Sequence, residues 1–319
     1  MADVQIGYAI SSEEHLPNDI VRHARLAEEA GFTYALISDH YHPWVDAQGH
    51  SPFVWSVIGG IAARTSRIRV GTGVTCPIIR IHPAIIAQAA ATAAVMLPDR
   101  FMLGVGTGEN LNEHVLGDKW PIVSERQEML TEAVEIIRML WDGEQHTHHG
   151  DFYDVENARL YTVPDTPPPL IVAASGSESA ELAAQIGDGL WTVGPEAEVV
   201  KAFTAAGGSG PRIGQLTLCY AVSADDALAT VREIWPIVGL KGPLNQELPN
   251  PAHFEQAAEM VTDDDIRDAL PLGPAAGPVL EQLAEFEQAG YDHVYLHQIG
   301  PDQAGFFEFW ERELLPQLG

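Results

Sequence analysis

The chain has 319 residues, 46% of them hydrophobic, and a formal net charge of −28, with three lysines against 14 arginines. That acidity speaks against a duplex nucleic acid partner, whose phosphates would be repelled. No run of 18 or more apolar residues occurs, so no transmembrane helix is expected. Residues 1–5 lack a basic leader, and two cysteines, Cys76 and Cys219, cannot build a disulfide framework, so a soluble cytoplasmic chain is expected. The scarcity of lysine is compatible with a high-salt habitat or with an Ala- and Arg-rich genome.

Strand-like runs at 4–10, 34–38, 68–74 and 101–105 alternate with amphipathic helical stretches at 16–30, 53–65 and 83–97, the pattern of parallel βαβ units. A helix is expected over 124–141. Leu130, Val134, Ile137 and Trp141 share one face, Ser124 with Gln127 reads as a capping box, and Gly143 stands near the stop. The rhythm breaks at 146–161, which reads as a β-hairpin insertion. Its histidines, His146, His148 and His149, have no second set of ligands at helical spacing, so a solvated turn is expected and no metal.

Strands at 170–174, 190–193 and 215–222 resume the series, and a Pro- and Asn-rich irregular insertion fills 239–272. A strand at 293–298 and a helix at 305–315 close the chain. Eight strand candidates with helices between them predict an α/β fold, a (β/α)8 TIM barrel over 1–319, with insertions near 144–165 and 239–272.

Two polar clusters each follow a strand: Ser38-Asp39-His40-Tyr41 with Trp44, and Gly106-Thr107-Gly108-Glu109 with Asn112 and Glu113. In a barrel such clusters meet at the C-terminal face, where variable βα loops sit on a fixed scaffold. Asp39 beside His40 supplies an oriented imidazole. Glu109 among glycines supplies a proton carrier on a loop that can approach a ligand closely. The competing reading of either cluster is a helix N-cap, with His40 a satisfied loop histidine.

Taken in order, Ser38-Asp39-His40 with Trp44, Gly71-Thr72-Gly73-Val74, Arg80-Ile81-His82-Pro83, Gly104-Val105-Gly106-Thr107-Gly108-Glu109, Gly150-Asp151-Phe152-Tyr153 and Gly187-Asp188-Gly189 resemble the luciferase-like (bacterial luciferase superfamily) oxidoreductases. Within these, the chain is similar to the coenzyme F420-dependent glucose-6-phosphate dehydrogenase group. The resemblance implies a barrel, usually homodimeric, that binds the deazaflavin F420 at its strand C-termini and transfers hydride.

By the same resemblance, His40 lies at the transferring centre, Trp44 stabilises the reacting species and Glu109 is a general acid. Asp39, Gly73, Val74, Thr107, Gly108 and Asn112 contact the cofactor, with a cis non-proline peptide at Gly73-Val74. Cys76 stands in place of a threonine that makes such a contact. Ser175, Gly176, Glu178 and Ser179, where a helix begins, complete the implied cofactor site; helix N-termini favour anions such as its phosphate. Arg80 and His82 are further candidates for the anionic tail, Arg80 having a surface salt bridge as its alternative.

The chain departs from the sugar-phosphate members at Glu196 and Gln256, where lysines are expected, so an unphosphorylated alcohol, aldehyde or ketone is the expected substrate. Two other functions stay open: an FMN-dependent monooxygenase of the same superfamily and a non-catalytic ligand-binding barrel.

Overall fold

A computed structural model describes residues 4–240 and 242–318. The first half runs β1 (Gln5–Ile10), α1 (Pro17–Glu29), β2 (Tyr34–Ile37), α2 (Val54–Ala62), β3 (Arg69–Thr72), α3 (Pro83–Met96), β4 (Phe101–Val105), α4 (Asn110–Glu113) and α5 (Val123–Leu140). A hairpin of β5 (His146–His149) and β6 (Asp154–Ala158) follows. Then come β7 (Leu170–Ala173), α6 (Ser177–Ile186), β8 (Gly189–Thr192), α7 (Ala197–Ala205), β9 (Arg212–Leu218) and α8 (Ala224–Ile234). The chain continues through α9 (Leu244–Glu247), α10 (Pro251–Ala258), α11 (Asp263–Ala269), α12 (Ala276–Ala289), β10 (His293–Gln298), α13 (Gln303–Phe309), a π-helical turn (Trp310–Leu314) and α14 (Leu315–Leu318).

Eight strands close a parallel barrel in the order β1-β10-β9-β8-β7-β4-β3-β2. Side chains alternate across each strand, as the period of two requires. On β2, Tyr34 and Leu36 join Ala9, Met102, Ile171, Ile213 and Tyr295 in one apolar cluster, while Ala35 and Ile37 belong to a second that includes the helices. Small residues let the layers close. A Cβ on Gly104 would lie 2.0 Å from the Thr72 carbonyl oxygen. The Ala-rich helix α3 lies close under α5, where the Trp141 indole donates to the Ala87 carbonyl at 3.0 Å.

Three expectations need correction. Helix α5 begins at Val123 behind Ile122, with no side-chain cap, so Ser124 sits inside the first turn and Ser124 with Gln127 is not a capping box. Strand β3 spans only Arg69–Thr72, and Gly73-Val74, expected inside it, is a cis peptide beyond its end. The segment 239–272 is not irregular: it folds as α9, α10 and α11, two of them opened by capping side chains, Asn250 and Thr262. Short polar helices with little amphipathic periodicity leave weak signals in sequence. In the hairpin, each histidine meets a different carboxylate: His146 Asp142, His148 Glu132 and His149 Asp154. Among the described residues no group of His, Cys, Asp and Glu has the arrangement of a metal site.

Candidate active site

The β1, β2, β3, β4, β7, β8, β9 and β10 C-termini surround a cavity of about 760 Å³. Asp39, His40, Trp44, Gly73, Val74, Cys76, Thr107, Gly108, Glu109, Asn112, Ser175 and Ser179 all line it. Gly176 and Glu178 do not, and the Glu178 side chain is exposed. The α4 and α5 helices and the 239–272 segment add further walls, including Asn245 and Gln246 from α9.

His40 projects from the loop after β2, its backbone carbonyl fixed by the Ser51 hydroxyl at 2.8 Å. The acid beside its ring is not Asp39. Glu13, from the loop after β1, lies 3.1 Å from His40 Nδ1, and Glu109 lies 3.5 Å from Nε2 on the opposite edge. His40 Nδ1 makes no hydrogen bond, so its contact with Glu13 is chiefly electrostatic. Glu13 itself is buried and accepts from the hydroxyls of Ser11 (2.7 Å) and Ser38 (2.8 Å). Burial pushes its pKa up, but His40 and the two serines outweigh that and hold it below the ordinary carboxylate value. Glu13 is therefore ionised at neutral pH.

Glu109 is placed by Asn112, whose amide nitrogen donates to its carboxylate at 3.0 Å. The Asn112 oxygen accepts from the backbone of Tyr41 (2.9 Å) and His42 (3.2 Å), tying the loops after β2 and β4 together. Trp44 stands with its ring centroid 5.0 Å from that of His40 and packs edge-on against Phe254 of α10.

Asp39 does a different task. Its carboxylate accepts from the Thr75 hydroxyl (2.7 Å) and pairs with Arg80 (2.9 Å). Arg80 also reaches Glu113, at 3.5 Å, and all three side chains are buried. Burial would lower the Arg80 pKa, but the two carboxylates raise it, so the charge is locked inside the protein. Glu113 is pushed up by burial, which Arg80 only partly offsets. Arg80 is thus a buried ion pair and not a surface one, and it does not border the cavity. His82, which does not border the cavity either, is the N-cap of α3, its Nδ1 accepting from Ala84 N at 3.1 Å. A sequence shows a cation near the right face but not which carboxylates consume it.

Cys76 is buried, and burial followed by Glu113 drives its thiol pKa well above the usual value, so it stays a protonated thiol in the wall. Gly108 has φ +72°, and a Cβ there would lie 2.5 Å from the Cys76 sulfur. The loop needs glycine for both reasons. Glu196 and Gln256, read as facing the substrate, do not border the cavity. Among the described residues no lysine or arginine lines it.

Residues 3–293 match the family described as luciferase-like monooxygenase. The chain belongs to this family. Among curated relatives, an F420-dependent hydroxymycolic acid dehydrogenase from Mycobacterium tuberculosis is 37% identical over 98% of this chain and 88% of its own length. An F420-dependent glucose-6-phosphate dehydrogenase from Segniliparus rotundus is 35% identical over 99% of this chain and 98% of its own. A solved F420-dependent secondary alcohol dehydrogenase in complex with an F420-acetone adduct superposes with a TM-score of 0.92 at 31% identity, covering 99% of each chain.

Two residues of this luciferase-like site escaped the sequence reading: Glu13 and His297. Glu13 lies in the loop after β1 and His297 near the C-terminal end of β10, on the face of the barrel where a polar side chain reads as functional. The signal was present in Ser11-Ser12-Glu13-Glu14 and in the last residues of β10, but strand identity and burial were needed to weigh it.

Proposed function

We propose that this chain is a coenzyme F420-dependent oxidoreductase that moves hydride between the deazaflavin and an unphosphorylated alcohol or its carbonyl product. The observation that carries this reading is an imidazole held between Glu13 and Glu109 on the wall of a large cavity. F420 dependence is named for the relatives that align along nearly the whole chain.

The residues present fit the cofactor. The cavity has the size of a small-molecule site. Val74 and Val172 offer apolar surface to a ring, while Ser175 and Ser179 stand on its rim at the start of α6. Asp39, Gly73, Val74, Thr107, Gly108 and Asn112 would hold the ring, and the α6 N-terminus would face the phosphate of the tail. When bound, the deazaflavin supplies a carbon that accepts or gives hydride.

The protein handles the proton. His40 Nε2 takes the proton of the substrate hydroxyl as hydride leaves, and Glu13 beside Nδ1 orients the ring and stabilises its charged form. In the reverse direction the protonated His40 returns that proton from Nε2 to the nascent alkoxide, and Glu109, positioned by Asn112 and 3.5 Å from Nε2, passes protons between the ring and the open side of the cavity. Trp44 walls the reacting centre on the side of His40.

Substrate charge follows from the same walls. A dianionic phosphate needs charge-assisted partners, and no described lysine or arginine borders the cavity. Glucose 6-phosphate is therefore a poor substrate. The family resemblance supports a homodimer, and the two free cysteines support a cytoplasmic location.

The test is a fluorescence titration with F420 and with FMN, followed by assays of secondary alcohols and glucose 6-phosphate with oxidised F420. Tighter F420 binding and preferred turnover of the neutral alcohols are expected. Equal or tighter FMN binding, with oxygen-dependent oxidation, would establish the monooxygenase instead.

A further inference from the structure

Strand β1 stands between β2, which leads to His40, and β10, which carries His297. The β1 loop gives one glutamate to each histidine: Glu13 to His40, and Glu14 to His297 at 3.4 Å from Nε2. This second pair is as buried as the first, with side-chain exposures of 4% for His297 and 2% for Glu14. Glu14 is pinned from behind, its other oxygen accepting from the Gly300 amide at 2.7 Å. Nothing in the hydride-transfer chemistry uses His297.

The remaining edge of the His297 ring meets the cavity. Gln215 and Thr217 are two apart on β9, hence on one face, and the β9–β10 register sets Thr217 beside His297 and Gln215 beside Tyr295. Gln215, Thr217 and His297 all line the cavity. His297 Nδ1 has only long contacts, 3.4 Å to the Thr217 hydroxyl and 3.5 Å to the Gln215 amide nitrogen. Its Nε2 has no aligned hydrogen-bond partner. A buried imidazole left this poorly satisfied by its own protein is exceptional.

The Glu14 carboxylate favours the tautomer with its proton on Nε2, which leaves Nδ1 as an acceptor toward the cavity. Thr217 and Gln215 add donors beside it. That set matches a neutral hydroxyl, which donates to Nδ1 and accepts from Thr217 or Gln215. It does not suit an anion: Glu14 stands behind the ring, and no described lysine or arginine borders the cavity.

We propose that His297, Gln215 and Thr217 form a second polar subsite that binds a substrate hydroxyl other than the one that reacts at His40. The substrates this site selects are then neutral diols or polyols and their hydroxyketone products. The inference rests on the hydride-transfer reading given above.

The experiment compares 2-pentanol with 2,3-, 2,4- and 1,4-pentanediol, probes of one carbon skeleton, using the full chain and oxidised F420. At least one diol should exceed 2-pentanol in kcat/KM by about tenfold, the worth of one good hydrogen bond. In His297→Leu, and separately in Thr217→Val, that ratio should fall toward one, the Val variant serving if the Leu variant fails to fold. A ratio near one in the wild type, as when only water occupies the subsite, would overturn the inference while leaving the hydride-transfer reading intact. So would a ratio that survives both substitutions. Should neither alcohol turn over, that reading fails, and the subsite is judged by thermal shift: the diol must stabilise the wild type more than 2-pentanol does, and Thr217→Val must remove the difference.

Discussion

Replacing Glu13 by Gln removes the negative charge beside His40 while keeping the size of the side chain. Glu13 sits 3.1 Å from Nδ1 with only 1% of its side chain exposed. At that distance an ion pair is worth about 5 kcal/mol at an effective dielectric of 20. Burial of the carboxylate opposes this, and the Ser11 and Ser38 hydroxyls can still bond the Gln oxygen, so a net loss of about 3 kcal/mol is expected. That corresponds to about a hundredfold fall in kcat/KM for alcohol oxidation.

The pH profile carries the sign. The pKa of Glu13 is lowered in the folded protein, so its charge is present through the neutral range. Glu13→Gln should therefore fall short of the wild type at neutral and alkaline pH, where the wild-type carboxylate is ionised, and the gap should close only as pH drops far enough to protonate Glu13. The assay follows the deazaflavin absorbance with a secondary alcohol, with Glu13→Asp expected to fall between Gln and wild type. A loss of less than about threefold in Glu13→Gln at neutral pH would refute the role assigned to Glu13.

His23 has its pKa lowered to about 4 from 6.5, by burial first and then by His15, whose ring lies 4.7 Å away. A depressed histidine stabilises the fold fully above the unfolded value and loses that contribution, about 3 kcal/mol, as pH falls from 6.5 toward 4. Urea midpoints across that window should fall in the wild type and flatten in His23→Phe; parallel curves would contradict the assignment. Arg80→Met strands Asp39 and Glu113 as buried carboxylates and should cost about 3–5 kcal/mol in denaturant unfolding, with Asp39→Asn in the same chain recovering part of it. An unaffected midpoint would mean that Arg80 is not what neutralises them. Gly108→Ala forces a side chain into left-handed backbone, costing about 1–2 kcal/mol, and presses on Cys76. Cofactor affinity should weaken, and Cys76→Ala should relieve the contact without restoring full stability; full restoration would show that the backbone conformation is unimportant.

The sequence determined the order of strands and helices, because apolar periodicity is a local property of consecutive residues. It also placed His40, Trp44, Glu109 and Asn112 near one another, since each follows a barrel strand and all strand C-termini share one face. Only the tertiary structure decided which acid serves which base. Asp39 adjoins His40 in the chain, yet turns to Arg80 and Thr75, while Glu13, 27 residues earlier, reaches the ring across the barrel mouth. Arg80 was visible as a charge but not as a charge already neutralised, and the 239–272 segment was visible as an insertion but not as helices walling the cavity. Pairing between charges depends on distances set by barrel closure, and adjacency along a chain that turns sharply at each strand end does not encode them.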